Sequence, residues 1–364
     1  MADIKTKKKK VLIGMSGGVD SSVAAALLKE MGYDVIGATM KLWENKEQTE
    51  KQGGGCLFSA VYDAKRVCDK LEIPHYTLSC EDSFKTHVID DFVCAYENCK
   101  TPNPCIECNR YLKFGEFYKK ALELECDYVA TGHYAKVEYS EEYKQYVMKK
   151  SNADKKDQTY FLYSIPKEVL PKIIYPLESF KDKDEIRKLA DKYELTVAQK
   201  KDSQEVCFIP DNDYVNFVQK NGKENIKEGN IVLKDGTVLG KHNGLIHYTI
   251  GQRKGLGISY KSPLYVVDLN KIKNEVIVGE EKDLYKKELY AEDCNFLLDI
   301  DLNEKIEITA KVRYRAKEAK AILDFDEQKR IAHVVFEDEQ RAITPGQSVV
   351  FYLDDVVLGG GKIL

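Results

Sequence analysis

The first half of the chain alternates short apolar runs with segments in which apolar residues recur at helical spacing. Runs of this length fit buried strands, and the segments between them fit helices packed on a sheet. The predicted strands lie at 11–14, 34–43, 73–80 and 127–137. The first predicted helix begins near Asp20, and three further helices are predicted at 59–71, about 83–98 and about 109–124. This alternation predicts an α/β fold with a doubly wound parallel sheet, whose ligands lie beyond the carboxyl ends of the strands.

The pattern changes after Pro210. A short helical segment at 211–222 leads into strand-like runs separated by glycines through about residue 283, and the remaining residues alternate in β fashion. This predicts a small, mostly-β central domain followed by a C-terminal closed β-barrel. A chain of 364 residues is long enough for two or three domains. We therefore expect domains at 1–209, 210–283 and 284–364.

The stretch VLIGMSGGVDSS at 11–22 joins the first predicted strand to the first predicted helix. Gly17 and Gly18 allow a close backbone approach, and Asp20 and Ser21 begin the helix. The free N–H groups and the dipole of a helix start favour phosphate, so the stretch predicts an anion site. No lysine follows the glycines and G-x-G-x-x-G is absent, which excludes the two common nucleotide loops. A turn with a purely structural role is the alternative.

The ten cysteines do not form the dense pattern of a disulfide scaffold, so we expect mostly free thiols in a reducing compartment. Cys105 and Cys108 form a C-x-x-C after two prolines, and Cys207 lies in a polar, lysine-flanked segment. Thiolates are favoured at helix starts and near basic residues, so these three are the predicted reactive cysteines. A zinc site with Cys99 as a fourth ligand and inert buried thiols are the alternatives. The predicted packing cysteines are Cys68, Cys80, Cys94, Cys126 and Cys294.

The net charge of the chain is only −4, so an RNA partner has to be held by local basic patches. Residues 311–320 hold five basic residues and one acid, with Tyr314 between Arg313 and Arg315. A ring in this position can stack on a base while its neighbours bind phosphate. A charged strand face that is simply solvated is the alternative.

The sequence also bears on membranes and secretion. No apolar run approaches the roughly 20 residues that a membrane helix needs. The basic N-terminal segment lacks the apolar core of a signal peptide. We therefore expect a cytoplasmic protein with no membrane partner.

Several motifs occur in an order typical of the tRNA-specific 2-thiouridylases. They are SGGVDSS, TPNPC-x-x-CNR, ATGHYA, KKDQTYFL, DSQEVCFI and HYTIGQRKGLGI. The first resembles the pyrophosphate loop (PP-loop) of the ATP-pyrophosphatase superfamily, whose members split ATP between the α and β phosphates. The resemblance runs from residue 11 to the C-terminal TPGQSVVFY, so it covers essentially the whole chain. It implies that residues 1–209 form a catalytic domain and that the other two domains face tRNA.

The resemblance implies ATP-dependent 2-thiolation of the wobble uridine of tRNA, in which adenylation of the uracil C2 oxygen precedes sulfur transfer. Asp20 would lie near the pyrophosphate of ATP and its Mg²⁺. Cys207 would carry a persulfide, and Cys108 would attack it, release sulfur toward C2 and finish in a Cys108–Cys207 disulfide. The implied ATP-binding residues are Gly14, Met15, Ser16, Gly17, Gly18, Val19, Asp20, Ser21, Met40 and Gly132.

The resemblance also implies contacts with the target base and with tRNA. The residues concerned are Asn103, Pro104, Cys105, His133, Lys156, Asp157, Gln158, Arg313, Tyr314 and Gln347. The implied partners are the tRNAs for Lys, Glu and Gln, together with a cysteine desulfurase or a sulfur-relay protein as the sulfur donor.

One position departs from the commonest pattern of this family. Many relatives have Asp where this chain has Cys105, and a thiol is a different base from a carboxylate. Cys105, Cys108 and Cys207 are also three thiols that could hold three irons of a [4Fe–4S] cluster and leave one iron open for sulfide. A non-catalytic adenine-nucleotide and thiol redox sensor is the alternative from a different functional class.

Overall fold

The computed structural model describes residues 8–43, 56–153, 156–200, 206–209, 211–224 and 226–364, without the side chains of 56–59. The chain divides into two compact units, which are described separately. The first unit comprises Met1–His87, Ile106–Gln204 and Asp355–Val357. The second unit comprises Val88–Cys105, Glu205–Asp354 and Leu358–Leu364.

A five-stranded sheet forms the centre of the first unit, with its strands in the order β3-β2-β1-β4-β7 and all neighbours parallel. The strands of this unit are β1 (Lys10–Gly14), β2 (Asp34–Lys41), β3 (His75–Ser79), β4 (Tyr128–Ala130), the hairpin β5 (Lys136–Ser140) and β6 (Gln145–Lys149), and β7 (Ile173–Ile174). Val11, Leu12 and Ile13 of β1 expose no surface, because the strand pairs on both edges and is covered on both faces. The predicted parallel sheet is confirmed.

The predicted strand at 127–137 is wrong as a single element. The structure has β4, then an irregular stretch over 131–135, then β5 in a separate hairpin. The break lies at Gly132, where the backbone passes so close to the start of the first helix that a side chain would not fit. A continuous strand through Gly132 would not allow this close backbone contact with the start of α1.

The α-helices of the described residues include the five predicted ones, with different boundaries, and further ones at 104–107 and 183–192 that the sequence pattern did not predict. They are α1 (Val19–Glu30), α2 (Cys56–Lys70), α3 (Glu81–Phe84), α4 (Asp90–Glu97), α5 (Pro104–Glu107), α6 (Phe117–Glu123), α7 (Lys183–Lys192) and α8 (Tyr214–Asn221). Two π-helical segments, Lys85–Ile89 and Cys108–Glu116, join α3 to α4 and α5 to α6. Such segments are often found at functional sites. Within the described ranges, no helix has both the length and the apolar character needed to cross a membrane.

The second unit contains two β structures. A four-stranded sheet has the order β10-β11-β8-β9, and six strands in the order β12-β15-β14-β13-β16-β17 close on themselves through pairing of β12 with β17. The strands are β8 (Gly229–Leu233), β9 (Val238–His242), β10 (Tyr265–Asn270), β11 (Glu275–Gly279), β12 (Tyr285–Phe296), β13 (Ile306–Lys311), β14 (Ala319–Asp326), β15 (Ile331–Arg341), β16 (Ser348–Leu353) and β17 (Val356–Ile363). The predicted small β domain and C-terminal closed barrel are confirmed.

Four of the five predicted packing cysteines are buried, namely Cys68, Cys80, Cys126 and Cys294. Cys94 is exposed, so its prediction as a packing residue is wrong. Its sulfur lies 3.5 Å from the side-chain nitrogen of Asn98, one helical turn further along the surface of α4.

Candidate functional site

The loop between β1 and α1 is folded by its own serines. The Ser16 N–H donates to Ser21 Oγ (3.2 Å), and the Gly18 N–H donates to Ser16 Oγ (3.3 Å). The hydroxyl of Ser22 donates to the carbonyl oxygen of Gly18 (2.8 Å). Among the described residues, no side chain caps the start of α1. The first N–H groups of the helix therefore remain available to an anion, as the sequence predicts.

Two glycines of the predicted ATP site are required by close backbone contacts. Gly17 has φ +71°, and a Cβ there would lie 2.4 Å from the carbonyl oxygen of Ala60. A Cβ on Gly132 would lie 2.8 Å from the backbone nitrogen of Ser21 and 2.9 Å from the carbonyl carbon of Asp20. The structure thus brings Gly132 directly to the start of α1, where the sequence resemblance places an ATP contact.

The carboxyl end of β2, which carries Met40, is tied to the same loop. The Met15 N–H donates to the Ala38 oxygen (2.8 Å), and the Thr39 hydroxyl donates to the Met15 oxygen (2.8 Å). Thr39 Oγ1 also lies 2.9 Å from Nε2 of His75. Because the single hydroxyl proton is already donated, Nε2 of His75 has to carry the proton in this contact. Burial lowers the pKa of His75, which favours this neutral form.

Asp20, the acid in the first turn of α1, is held by a lysine that no sequence motif indicates. Nζ of Lys183 lies 2.5 Å from Asp20 Oδ2, and the hydroxyl of Tyr134 donates to Asp20 Oδ1 (2.9 Å). Lys183 is the first residue of α7 and is buried, and Asp182 caps that helix. The chain separation of 163 residues explains why no motif spacing could reveal the pair.

A second lysine, Lys200, also contacts the loop. Its ammonium donates to the carbonyl oxygen of Gly17 (3.0 Å) and to Asp63 Oδ2 (2.7 Å). In the sequence, the segment 200–210 indicates only Cys207, and no motif points to Lys200. Two ammonium groups therefore contact a loop that has no lysine of its own.

His133 lies half-buried in a polar and aromatic setting of the first unit. Its Nδ1 is 2.7 Å from Thr131 Oγ1, and its Nε2 is 3.3 Å from Nζ of Lys113. Because the ammonium can only donate, Nε2 is the acceptor and Nδ1 carries the proton. Burial, followed by the charge of Lys113, lowers the pKa of His133 well below its usual range. His133 is therefore a neutral imidazole at neutral pH.

The predicted reactive cysteines differ in exposure and belong to different units. Cys108 begins a π-helical segment of the first unit and is buried. Cys105 and Cys207 are exposed and belong to the second unit. Cys80 lies near Cys108 and Glu116. Burial, then the charges of Glu116 and Cys108, raise the pKa of Cys80 to about 12.

Cys207 is followed directly by an aromatic anchor in the second unit. Phe208 is buried, and its ring centroid lies 5.3 Å from that of Phe92 in α4 and 5.1 Å from that of Phe217 in α8. These contacts fix the backbone next to an exposed thiol. Residues 201–205 and Pro210 of the predicted cysteine motif lie outside the described residues.

The predicted tRNA contacts at 156–158 have structural partners. Asp157 is buried, and one of its oxygens accepts from the hydroxyl of Thr159 (2.5 Å). Gln158 Oε1 accepts from the Tyr134 N–H (3.0 Å), which links this segment to the residue after His133. Contact of the segment with tRNA stays a prediction, and Lys155 of the same motif lies outside the described residues.

Gln347 supports the segment that precedes Asn103. Its side-chain nitrogen donates to the carbonyl oxygens of Thr101 (2.9 Å) and Pro102 (3.4 Å). The Thr101 N–H donates to the oxygen of Pro345 (2.8 Å), so three hydrogen bonds hold this segment to the turn before β16. Pro104 then begins α5. The contacts of Gln347 position the segment that the sequence resemblance assigns to the target base.

The basic run at 311–320 does not form a strand face, so that interpretation of the sequence is wrong. β13 ends at Lys311 and β14 begins at Ala319, and Arg313 and Tyr314 lie in the connecting loop. Nη2 of Arg313 donates to the Arg341 oxygen (3.3 Å), and Nζ of Lys311 lies 5.8 Å from the Tyr314 ring centroid. A loop presents these side chains at one point rather than along a face.

Metal ligation was a sequence alternative for the cysteines. Within the described ranges, no three His, Cys, Asp or Glu side chains are grouped so that they could hold a metal ion. The zinc and iron–sulfur alternatives therefore rest on the sequence alone.

The chain matches three family models in succession. They are the tRNA methyl transferase HUP domain over residues 9–211, the tRNA methyl transferase PRC-barrel domain over 215–280 and the aminomethyltransferase beta-barrel domain over 286–363. Curated relatives carry a different name. The tRNA-specific 2-thiouridylase MnmA of Clostridioides difficile (strain 630) is 52% identical over 355 residues, which cover 98% of each chain. The tRNA-specific 2-thiouridylase MnmA of Clostridium botulinum (strain Alaska E43 / Type E3) is 53% identical over 357 residues, again with 98% of each chain.

The chain belongs to the tRNA-specific 2-thiouridylase family. The descriptions of the domain models mention methyl transfer, but full-length matches above 50% identity outweigh domain names in assigning a family. The family predicted from the motifs is confirmed. Among solved structures, NMN synthetase from Francisella tularensis is similar over 60% of this chain and 80% of that chain, with 17% sequence identity and a TM-score of 0.35. This similarity is too low to support a statement about function.

Proposed function

We propose that this 2-thiouridylase family member converts the wobble uridine of tRNA into 2-thiouridine at the expense of ATP, giving AMP and pyrophosphate. The observation that carries the proposal is the loop between β1 and α1, which has free helix N–H groups and is contacted by Lys183 through Asp20 and by Lys200 through Gly17. A loop with this charge complement suits a pyrophosphate group. Membership of the family supports the reaction.

ATP and Mg²⁺ fit the residues present. The loop N–H groups and the ammonium of Lys200 would hold the phosphates, and the carboxylate of Asp20 is the oxygen ligand that Mg²⁺ prefers. The side chain of Asp20 is 30% exposed, so a cation can reach it. Mg²⁺ would supply charge neutralisation at the phosphates, and Lys183 holds the Asp20 carboxylate in place. Gly132 would let the nucleotide and the start of α1 approach closely.

The chemistry requires activation of a poor leaving group. Transfer of AMP to the C2 oxygen of uracil replaces oxide by a phosphate that leaves readily. The loop serves this step by positioning the α-phosphate and stabilising charge. Neutral His133 can contact a base without placing another positive charge beside Lys113.

Sulfur transfer would follow on two cysteines. A donor protein loads Cys207 with a persulfide, and the thiolate of Cys108 attacks Sγ of Cys207, so that the bond between Sγ and the outer sulfur breaks. The Cys108–Cys207 disulfide forms, and hydrosulfide leaves to add at C2 and displace AMP. A dithiol reductant restores both thiols with two electrons. The exposures support this assignment, because Cys207 is open to a donor whereas Cys108 is shielded from it.

The remaining parts of the chain would bind tRNA. We retain the division into a catalytic part at 1–209, a central part at 210–283 and a barrel at 284–364. The proposed substrates are the tRNAs for Lys, Glu and Gln, and the proposed donor is a cysteine desulfurase or a sulfur-relay protein. Arg313 and Tyr314 are half-buried and supply a cation and a ring on one loop, which is the combination that a single-stranded RNA segment requires.

The test is a reconstituted reaction with purified protein, ATP, Mg²⁺, a cysteine desulfurase with cysteine, and a tRNA transcript. We expect AMP and 2-thiouridine in equal amounts, both dependent on tRNA, and no AMP from the Asp20→Ala variant. The control is Glu72→Ala, which removes a carboxylate from an exposed ion pair with Lys29 away from the loop. AMP formation without tRNA, or a normal AMP yield from Asp20→Ala, would overturn the proposal. If the protein binds ATP but forms neither AMP nor 2-thiouridine, the result would favour the alternative of a redox sensor.

A further inference from the structure

A loop of the second unit, residues 253–264, forms a basic surface that the proposed function has not used. It contains Arg253, Lys254 and Lys261 and no acidic residue, and all three cations are exposed. Among the described residues, no carboxylate forms an ion pair with any of them. In the same unit, by contrast, Lys234 is paired with Asp283 at 2.8 Å and Lys282 with Glu280 at 3.0 Å. Three unpaired cations on one short loop are a local anion attractor.

The loop is held in one conformation. Leu256 and Leu264 are buried and belong to the apolar core of the four-stranded sheet. Gln252 braces the start of the loop, because its Oε1 accepts from the Thr249 N–H (3.0 Å) and its Nε2 donates to the Lys254 oxygen (3.0 Å). A preformed loop loses little conformational freedom when it binds a ligand.

The backbone of this loop is open to a ligand. Gly255 and Gly257 have φ of +79° and +65°, and a Cβ on Gly257 would meet no atom within 4 Å. The loop lines a concave space of about 490 Å³. Phosphate oxygens can therefore approach backbone N–H groups as well as the three cations.

An aromatic ring lies beside the cations. Tyr260 is 39% exposed, and Nζ of Lys261 lies 5.7 Å from its ring centroid. An exposed ring next to unpaired cations combines base stacking with phosphate binding, which is the chemistry that recognises a nucleic-acid strand. A protein partner would instead bind through exposed apolar side chains of the loop, but its two leucines, Leu256 and Leu264, are buried in the core.

We propose that the loop 253–264 is a second RNA-binding surface, which binds the sugar–phosphate backbone of the tRNA substrate through Arg253, Lys254 and Lys261 and stacks an unpaired base on Tyr260. The inference rests on the proposed function, since it takes tRNA as the substrate. It adds a binding surface in the central part of the chain to the loop that carries Arg313 and Tyr314.

The test is the affinity of the full-length protein for a tRNA transcript over a series of salt concentrations. The triple variant Arg253→Gln, Lys254→Gln, Lys261→Gln should bind about tenfold more weakly at 0.1 M salt, and its salt slope should fall by about 2 to 3, because each lost phosphate contact removes roughly 0.7 to 0.9. The KM for tRNA should rise while kcat stays unchanged. Tyr260→Ala should weaken binding about tenfold, and Tyr260→Phe should bind like the wild type.

The matched control is Lys234→Gln, Lys282→Gln, Lys329→Gln, which changes the net charge equally but removes only ion-paired lysines. It should leave affinity and salt slope unchanged. Equal weakening in the control, or wild-type affinity in the Arg253 triple variant with an unaltered melting temperature, would overturn the inference. The proposed function fails separately, if the wild-type protein neither binds tRNA nor forms 2-thiouridine.

Discussion

Asp20 and Lys183, which are 163 residues apart in the chain, form a close ion pair at the start of α1, with Nζ 2.5 Å from Oδ2. On the proposal that the β1–α1 loop binds pyrophosphate, the pair would take the place of the lysine that follows the glycines in common phosphate loops. The ammonium comes instead from the first turn of α7. Only 11% of the Lys183 side chain is exposed. Burial of its ammonium group costs desolvation free energy, which the pairing with Asp20 offsets.

Lys183→Ala should lower tRNA-dependent AMP formation about a hundredfold or more, because loss of one preorganised charge at a reacting phosphate has an effect of this size. Lys183→Arg should retain part of the activity, since the charge remains but its shape differs. The measurement is the initial rate of AMP release at saturating ATP. Lys188→Ala, on the exposed face of the same helix, is the control and should behave like the wild type. A fully active Lys183→Ala enzyme would show that the pair is only structural.

Cys108→Ser and Cys207→Ser should each eliminate 2-thiouridine while tRNA affinity stays close to that of the wild type, because the thiols act after tRNA has bound. The measurements are nucleoside mass spectrometry and a binding isotherm. Cys94→Ser removes an exposed thiol outside the proposed pathway and should be fully active. Normal 2-thiouridine from Cys207→Ser would mean that sulfur travels by another route.

Cys105→Asp should remain active without iron. Cys105 is exposed, and on the persulfide route it serves at most as a base or a base contact, a role that a carboxylate can fill. In a cluster it would be a ligand, and carboxylates suit iron–sulfur clusters less well than thiolates. The measurements are 2-thiouridine yield and the anaerobic absorption spectrum near ~400 nm. An inactive variant, together with stoichiometric iron and sulfide in the anaerobic wild type, would contradict the persulfide route.

The stability of the protein should fall at mildly acidic pH, in part through His133. Its pKa is lower in the folded state than the unfolded value of about 6.5, so the unfolded state binds more protons below that pH. The contribution is fully present above about pH 6.5 and is lost as the pH falls toward the folded pKa. Urea unfolding at pH 7.5 and 5.5 should show a smaller loss for His133→Gln than for the wild type. His75 and His242 also have lowered pKa values, so part of the slope should remain. An identical slope in the variant would contradict the assignment.

The sequence was most informative where local pattern decides structure. Apolar runs such as 11–14 predict strands because both faces of a central parallel strand are buried. The glycine turn and the helix start predict an anion site because both features depend on residues that are adjacent in the sequence. The predicted strand at 127–137 failed because the contact of Gly132 with α1 joins parts of the chain that are far apart in sequence.

The side chains that complete the site were out of reach for the same reason. Lys183 and Lys200 approach the loop only because α7 and the segment after it fold back on α1 and α2, and nothing in their spacing indicates this. The regular alternation around Arg313 favours a continuous strand, whereas a turn interrupts the chain between β13 and β14. Exposure at Cys94 shows that an apolar neighbourhood in sequence does not fix which face of a helix is buried.

The central claim is that the uracil C2 oxygen leaves as part of AMP. The most direct measurement uses tRNA whose wobble uridine carries oxygen-18 at C2, with ATP, Mg²⁺ and the loaded sulfur donor, and follows the label by mass spectrometry. We predict one labelled oxygen in AMP for each 2-thiouridine formed, and none in pyrophosphate or water. Label recovered in water or pyrophosphate, or 2-thiouridine formed with unlabelled AMP, would contradict the account.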